Sequence, residues 1–356
     1  MKICHCINVL SRGLAENAFP SAAVAVGRGR EVYLREVMGH RTTSPDLVPA
    51  DFDTLYDLAS LTKLVATTMV TLKLLEEGRL LLTHTLGRYF TEDELKDAPE
   101  GRRNVTVFQL MTHTSGITPH IPLHLRLTDP EDAVKTILAS PPVCPPGTQV
   151  YYSCMGYILL AKILERITGS SLDALARRRV FEPLGMTHTT YCPTSRNVAA
   201  TEFSTLRGCY ISGEVHDENA HFLGGVSGNA GVFSTLDDMS TFAMMLSERG
   251  RIPSGRFLAA STFDLAVRNF TPGLAECRGL GFQLKPPVPA LSAMGDLMSE
   301  GSYGHTGFTG TSLYVDAQTG LWGVLLTNAV HFGRDKTAFL DLRRAFHNAM
   351  VGDFES

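Results

Sequence analysis

No apolar run in this chain approaches the length of a membrane-spanning helix, and neither sign of charge dominates it. The 32 Lys and Arg against 36 Asp and Glu leave a formal net charge of −4. That is too little to hold a nucleic acid or an acidic membrane surface by electrostatics. The first residues, Met1-Lys2-Ile3-Cys4-His5-Cys6-Ile7, lack the apolar stretch of a secretory leader, because Asn8, Ser11 and Arg12 interrupt it. Internal repeats and low-complexity segments are also missing. The cysteines (Cys4, Cys6, Cys144, Cys154, Cys192, Cys209 and Cys277) are odd in number and scattered, which fits reduced thiols better than a disulfide framework. The expectation is a soluble cytoplasmic protein with no nucleic-acid or membrane partner.

No metal and no cofactor is expected either. Cys4-His5-Cys6 cannot place three adjacent ligands around one tetrahedral ion, and no second pair follows at finger spacing. His120 and His124 have the spacing of a helical ligand pair, but Pro122 lies between them and no glutamate follows His120.

What the chain does have is length and patterning. Its 356 residues, 44% of them hydrophobic, suffice for a large core. Residues 20–27 and 31–39 read as two strands of a hairpin turning through Gly27-Arg28-Gly29-Arg30. A polar loop from Arg41 to Asp53 leads to a short strand at Leu55–Leu58. From Thr85 to about Ala220, helical segments alternate with turn-rich loops. Val105–Met111 and Pro130–Ala139 are short amphipathic helices, and residues 141–147, with four prolines, form a rigid extended loop. Gly156–Thr168 and Leu172–Phe181 are further helices. The loop Gly224-Gly225-Val226-Ser227-Gly228-Asn229-Ala230-Gly231 precedes a helix from Leu236 to Arg249 capped by Thr235. Strands return at Gly279–Leu284, around His305, and in a hairpin of Thr311–Val315 with Leu321–Thr327, before a closing helix at Arg334–Met350. Strands at both ends with helices between predict a mixed α/β (α+β) domain over residues 1–356. Its mainly antiparallel sheet lobe takes residues 1–59 and 250–356, and an inserted helical lobe takes 60–249.

Chemistry concentrates in three stretches. In Leu58-Ala59-Ser60-Leu61-Thr62-Lys63, a helix opening at Ser60 puts Lys63 one turn later on the same face. A serine hydroxyl needs a neighbouring base, and a lysine whose pKa is lowered by burial is one candidate. The apolar series Leu61, Leu64, Val65, Met69, Leu72 and Leu75 buries that helix, and Gly78 stops it. Val150-Tyr151-Tyr152-Ser153-Cys154 follows the rigid loop and precedes a strong helix; a tyrosine near a lysine ammonium can act as base and then acid. Gly304-His305-Thr306-Gly307-Phe308-Thr309-Gly310 lets a ligand approach the backbone closely. Each stretch also has a plain structural explanation: an N-cap, core packing and a glycine-rich turn.

Together they resemble the Ser-x-x-Lys, Tyr-x-Asn and Lys/His-Thr-Gly motifs of penicillin-recognising serine hydrolases. The resemblance is to the class C β-lactamase-like branch with its D-alanyl-D-alanine carboxypeptidases, D-aminopeptidases and family VIII esterases. Leu110-Met111-Thr112-His113-Thr114-Ser115-Gly116, Pro146-Gly147-Thr148, Gly156-Tyr157, Pro183-Leu184-Gly185-Met186 and Gly228–Thr235 are similar to further family segments, in family order, from about Ala22 to Phe346. The resemblance implies a β-lactamase/DD-peptidase-like fold and an acyl-enzyme on Ser60. It implies that Lys63 and Tyr152 share the proton transfers and that the amides of Ser60 and Phe308 form the oxyanion hole. Cys154, His305, Thr306 and Gly307 would contact substrate, with His305 and Thr306 as donors to its carboxylate side. His113 and Ser115 read as supports of their loop.

Two residues depart from the family pattern. Cys154 stands where asparagine is usual, and a thiol cannot bracket a substrate amide as a carboxamide does. His305 replaces the lysine of β-lactamases, so its grip on a carboxylate should weaken at alkaline pH. The expected function is cleavage of a small ester or of a short peptide or amide containing D-amino acids; β-lactams rank below both. The alternative is a catalytically silent member acting as a binding or scaffold module. Oligomeric state is not encoded in any motif.

Overall fold

The computed structural model describes residues 4–205, 207–287 and 291–355; Met1, Lys2 and Ile3 of the N-terminal reading lie outside them. Its centre is β1 (Ser21–Arg28), whose residues are buried up to Gly27. Successive side chains of a strand point to opposite faces. Ala22, Val24 and Val26 therefore enter one apolar cluster, and Ala23 and Ala25 the other. A strand buried on both faces reads as an unbroken apolar run, as this one does.

β1 pairs antiparallel with β2 (Glu31–Thr42) and with β7 (Leu321–Thr327). With β3 (Val48–Pro49), β4 (Gln283–Leu284), β5 (Tyr303–Thr306) and β6 (Ser312–Val315), they make a seven-stranded sheet in the order β4-β5-β6-β7-β1-β2-β3. The two chain ends thus build one antiparallel sheet, as the pattern of elements implied. The hairpin turn is tighter than expected, and Gly27 stays in β1 at a register shift. The strand expected at Gly279–Leu284 is only Gln283–Leu284.

One face of the sheet is covered by an element that periodicity did not suggest, the helix Cys4–Ala15, lying against the closing helix Thr337–Glu355. Its Cys6 and Leu10 are buried with Phe346 and Met350. The Asp353 carboxylate accepts from the amides of His5 and Cys6 at 3.2 and 3.0 Å, occupying donors that a helix start leaves open. The other face packs on Leu236–Ser247, whose Met239, Phe242 and Leu246 are fully buried. This helix, assigned by sequence to the helical lobe, is a layer of the sheet lobe in space.

Between these layers and the remaining helices runs the continuous core that positions Ser60. The short strand Tyr56–Asp57 pairs with Val232–Ser234, which pairs in turn with Thr190–Tyr191. The helix after Ser60 is regular only from Met69 to Glu76; residues Lys63–Thr68 form a wider π-helical turn. Thr67 Oγ1 donates to the Gly228 carbonyl at 2.8 Å, and Val232 N donates to Thr62 Oγ1 at 3.1 Å. The glycine-rich loop and the Ser60 helix are thereby locked together. The helix Cys154–Thr168 starts two residues before the expected Gly156, because Ser153 caps it through the Gly156 amide at 3.0 Å. Gly169, at φ 68°, ends it. Among the described residues, no helix is long and apolar enough to cross a membrane.

Gly228 tests this assembly. A Cβ there would lie 2.1 Å from the Tyr157 carbonyl oxygen and 2.8 Å from Ala161 Cβ. Gly228→Ala should therefore cost about 1–3 kcal/mol of stability and lower the thermal and denaturant midpoints. An unchanged midpoint would mean that the loop is not pressed against the helix Cys154–Thr168.

Candidate active site

Ser60 follows a backbone strain. Ala59 has φ 45°, the left-handed region that a residue with a Cβ rarely enters. Two hydrogen bonds to the buried Asp57 carboxylate support it: Ala59 N donates at 2.8 Å and His216 N at 2.7 Å. Burial raises the Asp57 pKa against these bonds. The sharp turn carries Ser60 out of the core, half-exposed, at the head of its helix.

Lys63 is completely buried. Its Nζ donates to Ser60 Oγ at 3.0 Å, to the Asn229 carbonyl at 2.9 Å and to Cys154 Sγ at 3.5 Å. An ammonium has three N–H donors and no acceptor, and here each donor has a target on a different segment. Burial alone would pull the Lys63 pKa down, as expected from sequence. The neighbouring Cys154 and Tyr152 side chains, followed by Asp217, push the other way, and the net direction is upward. The lowered lysine pKa expected from sequence is therefore not found; the three acceptors form a cradle suited to an ammonium.

Tyr152 lies beside this pair, with Lys63 Nζ 4.9 Å from its ring centroid. Its hydroxyl is buried and, among the described residues, finds no partner in hydrogen-bond geometry. Lys63 and Ser60 are still close enough to favour the phenolate, but burial acts more strongly and raises the phenol pKa. The segment is set by His113, itself at φ 57°: Ser153 N donates to its Nδ1 at 3.0 Å, Tyr151 N donates to its carbonyl at 2.9 Å, and its ring lies 4.5 Å from that of Tyr152. Ser115 Oγ accepts from Ile117 N at 3.2 Å. Both residues hold their loop, as their motif implied.

β5 carries His305 and Thr306, and the following loop is tied to the strand before Ser60. Thr309 Oγ1 donates to the Asp57 carbonyl at 2.6 Å and Thr311 Oγ1 to the Leu58 carbonyl at 3.1 Å. A Cβ on Gly307 would meet the Leu58 oxygen at 2.3 Å and Thr311 Oγ1 at 2.1 Å, so only glycine allows the approach. Among the described residues, the amides of Ser60 and Phe308 donate to no other group, leaving two open N–H groups on segments joined by these bonds.

His305 departs from expectation. It is buried, its ring centroid is 5.8 Å from that of Tyr152, and its Nδ1 donates to the Thr306 carbonyl at 2.7 Å. Burial, then Arg278 and Lys63, push its pKa down to about 3. It is a neutral imidazole with Nε2 as an acceptor, so a grip on carboxylate that weakens at alkaline pH does not apply. The cation there is Arg278, which no motif indicated. It is 5% exposed, its Cζ lies 5.3 Å from the Tyr152 ring centroid, Glu276 holds its Nη2, and its Nε has no partner. Asn229 was also missed as an individual residue, although its loop was singled out. Its Nδ2 is buried without a partner. Asn219, which no motif indicated, is buried, and its Oδ1 accepts from Leu123 N at 2.8 Å.

The neutral buried histidines make a stability prediction. The pKa values of His113, His305 and His347 all lie below the ordinary 6.5, chiefly through burial. Each binds its proton more readily in the unfolded chain, so the stability it contributes above pH 6.5 is lost as pH falls. Between pH 7 and 5 the unfolding free energy should drop with a slope approaching about 1.4 kcal/mol per pH unit per histidine. Denaturant titrations across that range measure it, and a flat profile would contradict the burial of these three rings.

Residues 7–346 match the family described as Beta-lactamase. A protein of Escherichia coli (strain K12) named "Putative D-alanyl-D-alanine carboxypeptidase" is 29% identical over 362 residues, covering 91% of this chain and 82% of its own. The N-acetylmuramyl-L-alanine amidase of Bacillus subtilis (strain 168) is 29% identical over 347 residues, covering 88% and 78%. In fold, the chain is similar to EstCE1, a hydrolase with promiscuous acyltransferase activity, with a TM-score of 0.77, 20% identity and 98% of each chain covered. With a match across most of its length, this chain belongs to the beta-lactamase family.

Proposed function

We propose that this protein is a serine hydrolase that forms an acyl-enzyme on Ser60 and cleaves a small ester or a short D-amino-acid peptide or amide. The observation that carries the proposal is the Lys63 ammonium, buried, 3.0 Å from Ser60 Oγ and adjoining the unpartnered Tyr152 hydroxyl.

The raised pKa values of Lys63 and Tyr152 mean that the resting pair holds both protons at neutral pH. Losing one creates a phenolate beside an ammonium. Tyr152 Oη then takes the Ser60 proton while Lys63 stabilises its charge, and Ser60 Oγ attacks the substrate carbonyl carbon. The Ser60 and Phe308 amides receive the oxyanion. Tyr152 returns the proton to the leaving group, and water attacks the acyl ester by the reverse route. The name of the E. coli relative supports a D-alanyl peptide; the thiol of Cys154 in place of a carboxamide supports an ester.

The nucleophile is tested with a fluorophosphonate probe and mass spectrometry. Wild-type protein should be labelled on Ser60, and Ser60→Ala should lose the label and the turnover of p-nitrophenyl acetate or D-alanyl p-nitroanilide. Well-folded wild type that neither labels nor turns over either substrate would replace this reading with that of a binding module. The better substrate identifies the class.

A pH profile tests the proton inventory. Since one proton must leave the pair before attack, kcat/KM should rise with pH above neutrality, about tenfold per pH unit on the acid side of that ionisation. Tyr152→Phe should remove the rise and most of the activity. A wild-type profile flat from pH 6 to 9 would sink the assignment of Tyr152 as base.

A further inference from the structure

Phe308 is a large apolar residue that is 45% exposed, yet it is held on several sides. Its ring stacks on that of His216, with centroids 5.7 Å apart and an interplanar angle of 24°; the His216 amide is bound by the Asp57 carboxylate. The other partner comes from the far end of the chain. Lys336, just ahead of the closing helix, donates from Nζ to the Phe308 carbonyl oxygen, and the same ammonium lies over the Phe308 ring, 3.3 Å from its centroid. A hydrogen bond and a cation–π contact thus converge from one side chain on one residue.

The position is unfavourable for a lysine in other respects. Burial is the main cause that pushes its pKa down to about 8, and the charges acting on it, Arg343 and Arg334, are cations that push the same way. The side chain is itself partly exposed, and the groups it grips hold it there. The loop it grips is otherwise pinned on either side of Phe308. Gly307 N donates to the Thr311 carbonyl at 2.7 Å, Gly310 N donates to the Gly307 carbonyl at 3.2 Å, and the Thr309 and Thr311 hydroxyls hold the strand before Ser60. Among the described residues the Phe308 amide donates to no group, and Lys336 fixes its carbonyl and ring.

We propose that Lys336 is a positioning residue for the oxyanion-binding amide of Phe308, clamping the carbonyl and ring of that residue so that its N–H stays presented to the reacting carbonyl. This rests on the reading of Ser60 as the acylated nucleophile. An oxyanion donor acts in the transition state and little in the ground state. Loss of the clamp should therefore appear in kcat and in the affinity for tetrahedral adducts, and not in KM.

The test uses the full chain as wild type, Lys336→Met, Lys336→Gln, Lys336→Arg and Ser60→Ala, assayed on whichever of the two chromogenic substrates turns over faster. The affinity for phenylboronic acid, which forms a tetrahedral adduct, and the thermal midpoint are measured alongside. Lys336→Met should lower kcat about ten- to hundredfold, with KM within about twofold. Its boronate affinity should fall in parallel and its midpoint stay near wild type; Lys336→Arg should restore most of both losses. Should the Met variant misfold, Lys336→Gln, which keeps a donor without the charge, is read in the same way with a smaller loss expected. Wild-type kcat and boronate affinity in Lys336→Met or Lys336→Gln, or a loss confined to KM, would overturn the clamp while an inactive Ser60→Ala leaves the nucleophile standing. Full activity in Ser60→Ala would overturn both.

Discussion

Three acceptors around the Lys63 ammonium set the conditions for the rest of the site. Ser60 Oγ, the Asn229 carbonyl and Cys154 Sγ belong to three segments far apart in sequence. A buried cation without such partners would be strongly destabilising, so the helix after Ser60, the glycine-rich loop and the start of the helix Cys154–Thr168 have to meet there together. The apolar core supplies the driving force for that meeting, and the ammonium makes its register specific. The π-helical turn at Lys63–Thr68 and the left-handed Ala59 are the local distortions that accompany it.

The electrostatic character of the site follows from the same burial. Lys63 and Arg278 bring positive charge into a region with little water, and the histidines beside them, His113 and His305, respond by staying neutral. Neutral His305 donates from Nδ1 to its neighbour's carbonyl and presents a lone pair at Nε2. The residue that replaces a lysine in the motif is thus held neutral, and the buried cations beside it are Lys63 and Arg278. Among the described residues, three buried groups of the site remain unmatched: the Tyr152 hydroxyl, Asn229 Nδ2 and Arg278 Nε. An unmatched polar group beside a strained serine is a cost that packing alone does not explain, and it fits a site whose polar complement is completed by substrate.

The loop around Phe308 shows how the two chain ends serve the site. Its threonines hold the strand that precedes Ser60, and its glycine permits the close approach. The sheet that presents it is completed only when β7 pairs with β1, more than 290 residues away. Such long-range closure explains why the chain ends fold onto each other, with the helices Cys4–Ala15 and Thr337–Glu355 joined through Asp353.

Much of this was legible in the order of residues. The apolar run of β1, the hairpins, the cap at Thr235, the glycine stop at Gly78 and the motif residues from Ser60 to Phe308 are local patterns, and local patterns report local structure. The helix Cys4–Ala15 was not legible, because what stabilises it is a carboxylate and an apolar face from the other end of the chain. The same holds for Arg278, Asn229 and Lys336, each of which looks ordinary among its sequence neighbours and acquires its role through groups on other segments. Protonation was the least readable property. Sequence places Lys63 and His305 in the site, but whether burial or a neighbouring charge prevails depends on distances, and only the folded arrangement decides that Lys63 keeps its proton and His305 loses it.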